Sequence, residues 1–120
     1  MTVLLIALGA AVGAPMRYLT DRFVQSRHDS AFPWGTLTVN VFGSMLLGLI
    51  LGLPASAAVT ALLGTGFCGA LTTYSTFSYE TLKLARTGAR FYAAMNVLAS
   101  VVAGLGAAAV GLMLATALAA

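Results

Sequence analysis

Charged side chains punctuate this chain in only two places. Arg17, Asp21, Arg22, Arg27 and Asp29 form one window, and Glu80, Lys83, Arg86 and Arg90 the other. The remaining stretches, Met1–Met16, Ser30–Tyr79 and Phe91–Ala120, contain no Asp, Glu, Lys, Arg or His. A membrane-spanning helix takes about 20 apolar residues, so the 50 residues of Ser30–Tyr79 hold two spans. Leu53-Pro54-Ala55-Ser56 is the natural break between them, because proline starts a helix more readily than it continues one. The pattern predicts four transmembrane helices, at roughly 2–25, 34–53, 56–86 and 90–118, in a single all-α integral membrane domain over residues 1–120. Met1–Ala14 also reads as the apolar run of a secretory signal, but no basic residue precedes it, which favours a first span.

Composition narrows the class further. Hydrophobic residues make up 60% of the chain and charged residues 8%, with a mean hydropathy of +0.97. A soluble domain carries about 25% charged residues. A soluble enzyme, a disordered tail and a free nucleic-acid binder are therefore excluded. The net charge of +3 suits lipid headgroups better than nucleic acid. One cysteine, Cys68, and one histidine, His28, exclude a disulfide framework and a cysteine-based zinc site within one chain. The loops after the first and third spans share one side of the membrane, and every Lys and Arg lies on or near that side. The positive-inside rule would place both charged windows in the cytoplasm and the C-terminus outside.

Small and polar residues recur within the spans. Gly9 and Gly13 form a GxxxG pair on the first helix and Gly48 and Gly52 another on the second; the fourth offers Gly104, Ala108 and the pair Ala107 and Gly111. Such pairs let backbones approach closely and gain dispersion energy where lipid removes the hydrophobic driving force. Tyr18, Phe32 and Trp34 fit an interfacial aromatic belt. Thr36, Asn40 and Ser44 share one face of the second helix, and Tyr92, Asn96 and Ser100 one face of the fourth. Hydroxyls in such places commonly bond back to their own helix. An Asn amide has more donors and acceptors than its helix can satisfy, so Asn40 and Asn96 ask for a neighbouring helix, water or a ligand. These stripes hold no ionisable group. Only Arg17 and Glu80 stand near enough to a helix end to serve a proton relay, which a coupled pump usually needs. Neutral donors along a path suit passive movement of an ion or a small polar solute.

The third span is the most unusual. Gly64-Thr65-Gly66-Phe67-Cys68-Gly69 matches GxGxxG, but no strand precedes it and the segment lies in an uncharged span, so a dinucleotide site is rejected. A helix over 56–86 would be roughly 46 Å long, well above the roughly 30 Å hydrocarbon core. Three glycines beside Thr72, Thr73, Ser75, Thr76 and Ser78 predict a break near its middle. Non-helical backbone at membrane depth persists only where it is buried or lines a cavity, and carbonyls freed there can hold a cation. Tyr74 and Phe77 are three apart and share a face. Their positive ring edges could meet an anion, but from the spacing alone packing of two aromatics in a helix interface is the better account.

Three segments resemble the Fluc (CrcB) fluoride channel family: Gly13-Ala14-Pro15-Met16-Arg17-Tyr18, close to GAxxRY; Gly35-Thr36-Leu37-Thr38-Val39-Asn40, matching GTLxVN; and Gly66 to Phe77, very close to GFCGxLTTFSTF. The resemblance implies an antiparallel, dual-topology dimer with two fluoride pores, passive export of fluoride from the cytoplasm across the cell (inner) membrane, and relief of fluoride toxicity. It places the vestibule asparagine at Asn40 and the pore aromatics at Tyr74 and Phe77. A polar track falls on Ser75 or Thr76 and on Asn96 and Ser100. A structural sodium ion falls at the backbone carbonyls of Gly69 and Thr72. Neutral dipoles would replace fluoride's hydration without trapping the ion, and a central sodium would raise the local potential for it.

Two departures stand out. Tyr74 replaces the usual phenylalanine, keeping the ring edge and adding a hydroxyl. The one-sided cations conflict with insertion in both orientations, so the expected partner is either a second copy or an oppositely oriented paralogue. A small multidrug-type exporter needs a membrane-embedded carboxylate, and the first helix has none before Asp21. A non-transporting membrane scaffold would explain the glycines but not Asn40, the third-span cluster and the Asn96/Ser100 stripe together. No acid, base and nucleophile come together to suggest an enzyme.

Overall fold

The computed structural model describes residues 1–28 and 32–119; Asp29 of the first charged window, Ser30, Ala31 and the terminal Ala120 lie outside the described residues. All regular structure among the described residues is helical: α1 (Thr2–Ser26), α2 (Trp34–Gly52), α3 (Ala57–Val59), a π-helical segment (Thr60–Cys68), α4 (Gly69–Leu71), α5 (Ser75–Arg86) and α6 (Arg90–Ala119). Four of the resulting runs are long and apolar enough to cross a membrane: Thr2–Ser26, Trp34–Gly52, Ala57–Arg86 and Arg90–Ala119. Four spans are what the two charged windows and Pro54 predict.

The connections are short and chemically marked. α2 ends where Leu53 turns extended ahead of Pro54. The Ser56 hydroxyl accepts the Val59 amide at 3.2 Å and caps the next helix. At the end of α5, Gly88 takes φ +88°, a conformation that glycine adopts without strain. The Ala89 amide then reaches back to the Leu84 carbonyl at 2.8 Å and closes a Schellman-type cap.

Small residues set the packing. α1 lies on the π-helical segment so closely that a methyl at Gly9 would fall on the Leu62 carbonyl and the Phe67 amide, and one at Gly66 on the Ile6 carbonyl. α2 and α6 meet in the same way: a methyl at Gly48 would strike the Ala108 carbonyl, and one at Gly111 the Met45 carbonyl. Ala61, Cys68, Ala93, Ala107 and Ala115 are buried, while Val3, Leu105, Met113 and Leu118 are more than two-thirds exposed. That is the distribution of a bundle whose solvent is hydrocarbon, held by close backbone approach rather than by burial of large side chains. Phe32, one of the aromatics assigned to the interfacial belt, is covered within the chain. It is 6% exposed and packs on Trp34 (ring centroids 4.7 Å apart) and on Tyr92 of α6 (6.4 Å).

Candidate functional site

Helical backbone runs out where α4 ends. Thr72 is extended, with φ −79° and ψ 158°, and α5 begins only at Ser75. In a continuous helix the Thr73 amide would donate to the Gly69 carbonyl. Instead it donates to Oδ1 of Asn40 at 2.8 Å, and Nδ2 of Asn40 donates to the Thr73 carbonyl at 3.1 Å. The Thr73 hydroxyl accepts the Thr76 amide at 3.1 Å, satisfying one of the donors that a helix start leaves open. The Thr72 hydroxyl donates to the Cys68 carbonyl at 2.8 Å. Asn40 thus fixes the segment between α4 and α5 and keeps one amide hydrogen free of these two bonds.

An open cleft of about 670 Å³ lies against this segment, walled by α2, the π-helical segment, residues 72–74, Phe77 and the middle of α6. Asn40, Ser44, Thr65, Thr72, Thr73 and Ser100 are its hydrogen-bonding side chains and Tyr74 and Phe77 its rings, and among the described residues none that is charged lines it. The two ring centroids are 6.2 Å apart with planes inclined at 44°, and Tyr74 is 81% exposed. Gly69 also faces the cleft, and a methyl added there would meet no atom within 4 Å.

Of the residues singled out from sequence, Asn40, Gly69, Thr72, Tyr74, Phe77 and Ser100 come together on this cleft. Ser75 is exposed and lies outside it. Thr76 lines a separate cavity of about 180 Å³ beside Arg17, Asp21 and Thr36. Asn96 is fully buried. Its Nδ2 donates to the Thr81 hydroxyl at 2.8 Å, tying α6 to α5. Ser100 approaches Asn96 Oδ1 at 3.5 Å, long for an O–H···O bond, so Asn96 reaches the cleft only through a loosely held neighbour.

Sequence reasoning passes over Thr65 and Cys68 as cleft residues. The available signal was their place within the glycine-rich run facing the Asn40/Ser44 stripe. It also passes over a pairing of the second and third spans: the Thr36 hydroxyl donates to Glu80 Oε1 at 2.5 Å. Glu80 is not on the cleft. No group of three or more potential metal-binding His, Cys, Asp or Glu side chains occurs among the described residues.

Residues 4–112 match the family described as CrcB-like protein, Camphor Resistance (CrcB). A Streptomyces avermitilis protein named fluoride-specific ion channel FluC 1 is 63% identical over 123 aligned positions, covering 98% of each chain. A Frankia casuarinae protein of the same name is 60% identical, again over 98% of each. A Rhodococcus jostii protein named fluoride-specific ion channel FluC 2 is 53% identical over 95% of this chain and 98% of its own. With the family pattern running through nearly all of the chain and these relatives aligned almost end to end, this four-span protein belongs to the CrcB-like family.

Proposed function

We propose that this chain is a subunit of a fluoride-selective channel that lets fluoride leave the cytoplasm passively across the cell membrane and so relieves its toxicity. The observation that carries this reading is a membrane-depth cleft with amide, hydroxyl and aromatic-edge groups and no charged side chain on its wall. Fluoride gives up strongly bound water on entering such a space, and only hydrogen-bond donors and positive ring edges can replace it. Neutral donors release the ion as readily as they receive it; a fixed ammonium or guanidinium would hold it. The names of the near-full-length relatives support the choice of fluoride among anions.

The cleft is open on one side, and an oppositely oriented second subunit would close it. That subunit is a further copy of this chain or a related one. Arg17, Arg22, Arg27, Lys83, Arg86 and Arg90 all stand at or near the connections after the first and third spans, which favours one orientation for this chain and a partner of the other. Position-specific labelling of tags on both termini in intact cells tests this; one orientation in a chain expressed alone, together with channel activity only on co-expression with a second subunit, selects the heterodimer.

The segment around residue 72 also fits a structural sodium ion. The Gly69 carbonyl has lost its usual helical donor to Asn40, and a methyl on the Gly69 Cα would meet no atom within 4 Å. Neutral carbonyl oxygens suit a hard monovalent cation at membrane depth. Gly69 and Thr72 would contribute them, and the ion would add positive potential for a passing anion. Fluoride efflux from liposomes containing the purified protein tests the central reading: fluoride should leave and chloride should stay. Equal passage of both ions, or of neither, would refute it.

A further inference from the structure

Among the described residues, the cleft hydroxyls of Ser44 and Thr65 have no hydrogen-bond partner. Both residues line the cleft. Several threonine hydroxyls in these helices are spent on the carbonyl four residues back, as in Thr38 to Trp34, Thr81 to Phe77 and Thr116 to Leu112. Neither Ser44 nor Thr65 makes such a bond or any other among the described residues. Each omission has a local cause. Thr65 sits inside the π-helical segment, where bonding from residue i to i+5 shifts the carbonyl that a hydroxyl normally reaches. The Ala61 carbonyl is turned toward Gly66 instead, 3.1 Å from where a Gly66 methyl would stand. Ser44 faces Gly104 of α6, and a methyl built there would lie 3.9 Å from its Oγ, so no side chain covers the hydroxyl.

Position makes these free groups consequential. Ser44 lies ten residues from the start of α2, about 15 Å along the helix, which is half of a roughly 30 Å hydrocarbon core. An unpaired hydroxyl at that depth costs free energy unless something polar visits it. Asn40, one turn nearer the charged end, already spends an acceptor and a donor on Thr73.

We propose that Ser44, one helical turn beyond Asn40 on α2, and Thr65, on the facing π-helical segment, form an additional relay station for a partly dehydrated small anion, built from O–H donors on two different spans that line one cleft. The π-helical winding and the bare Gly104 keep the two donors available. Each hydroxyl can turn its hydrogen to an anion and accept from a companion water, so the station passes an ion with part of its hydration retained. This inference rests on the fluoride reading above.

The test is fluoride efflux from liposomes reconstituted with Ser44→Ala, Thr65→Val, the double variant, and Thr65→Ser. Loss of one donor should slow efflux about three- to tenfold, and loss of both by more than either alone, at the usual worth of one hydrogen bond to an ion. Thr65→Ser, which restores the hydroxyl without the methyl, should run close to the unaltered chain. Gly104→Ala supplies a second approach, since it covers the Ser44 hydroxyl without removing it and should slow efflux in the same direction. A double variant that conducts at the unaltered rate overturns the station and leaves the fluoride reading intact. So does a Thr65→Ser channel as slow as Thr65→Val, because the methyl, not the donor, would then matter. Unaltered protein that carries no fluoride overturns both.

Discussion

The seam between α1 and the π-helical segment and the open cleft lined by Gly69 and Gly104 use the same residue for opposite ends. At Gly9 and Gly66 the missing side chain is occupied by another helix's backbone. At Gly69 a methyl would touch nothing within 4 Å, and at Gly104 only the Ser44 hydroxyl at 3.9 Å. The first set lets helices close; the second leaves room between them. A glycine count or a GxxxG match reports neither role, because the role belongs to what stands opposite. The comparison also separates stability from transport: one set holds the bundle in lipid, and the other shapes the space an ion would use.

Substitutions can break this contrast directly. Gly9→Ala or Gly66→Ala should have the largest effect, because a rigid backbone must move; overpacking typically costs about 1–3 kcal/mol and backbone clashes lie at or above that upper end. Such variants should lose the single symmetric peak in size-exclusion chromatography, and a monodisperse Gly9→Ala protein would mean the seam is looser than described. Asn40→Asp comes next. It keeps the acceptor for the Thr73 amide, removes the donor to the Thr73 carbonyl, and sets a carboxylate at the cleft. Fluoride efflux should fall at least about tenfold while the protein still purifies intact, as loss of a donor and like-charge repulsion both oppose an anion.

Gly69→Ala probes the open side of the comparison. Alanine should be tolerated and even favoured by up to about 1 kcal/mol where the backbone is helical, so thermal stability in detergent should hold or rise while efflux drops a few-fold as the cleft narrows. A fall in stability like that of Gly9→Ala would erase the distinction. The smallest change is expected from Tyr74→Phe, which keeps the ring 6.2 Å from Phe77 and removes only a hydroxyl. Efflux should stay within about twofold, because the positive ring edge remains; an inactive channel would make that hydroxyl an essential donor.

Much of the architecture was open to reading because charge is so scarce here. Two charged windows and Pro54 delimit four spans without any appeal to periodicity. Asn40 and Asn96 were identifiable as groups needing outside partners, since no helix satisfies a primary amide alone. The partners themselves were not. Thr73, 33 residues from Asn40, binds through its backbone, and a backbone ligand leaves no mark in residue type. Asn96 was assigned by resemblance to a polar track, yet it is sealed between α5 and α6, because burial depends on how two helices rotate against each other. The π-helical winding of Thr60–Cys68 was equally hidden: nearly every position there is apolar or small, so no stripe records whether the turn holds 3.6 residues or more. Thr36 and Glu80, 44 residues apart, meet only once the third span has folded back.

The reciprocal bonds between Asn40 and Thr73 have a mechanical consequence. Straightening the third span into one uninterrupted rod would return the Thr73 amide to Gly69 and strip Asn40 of two bonds at once, leaving its amide to whatever occupies the cleft. Each bond enforces the other, so the discontinuity resists both unwinding and repair. One side chain thus takes over, with two bonds, the place of the ladder bond that the gap omits.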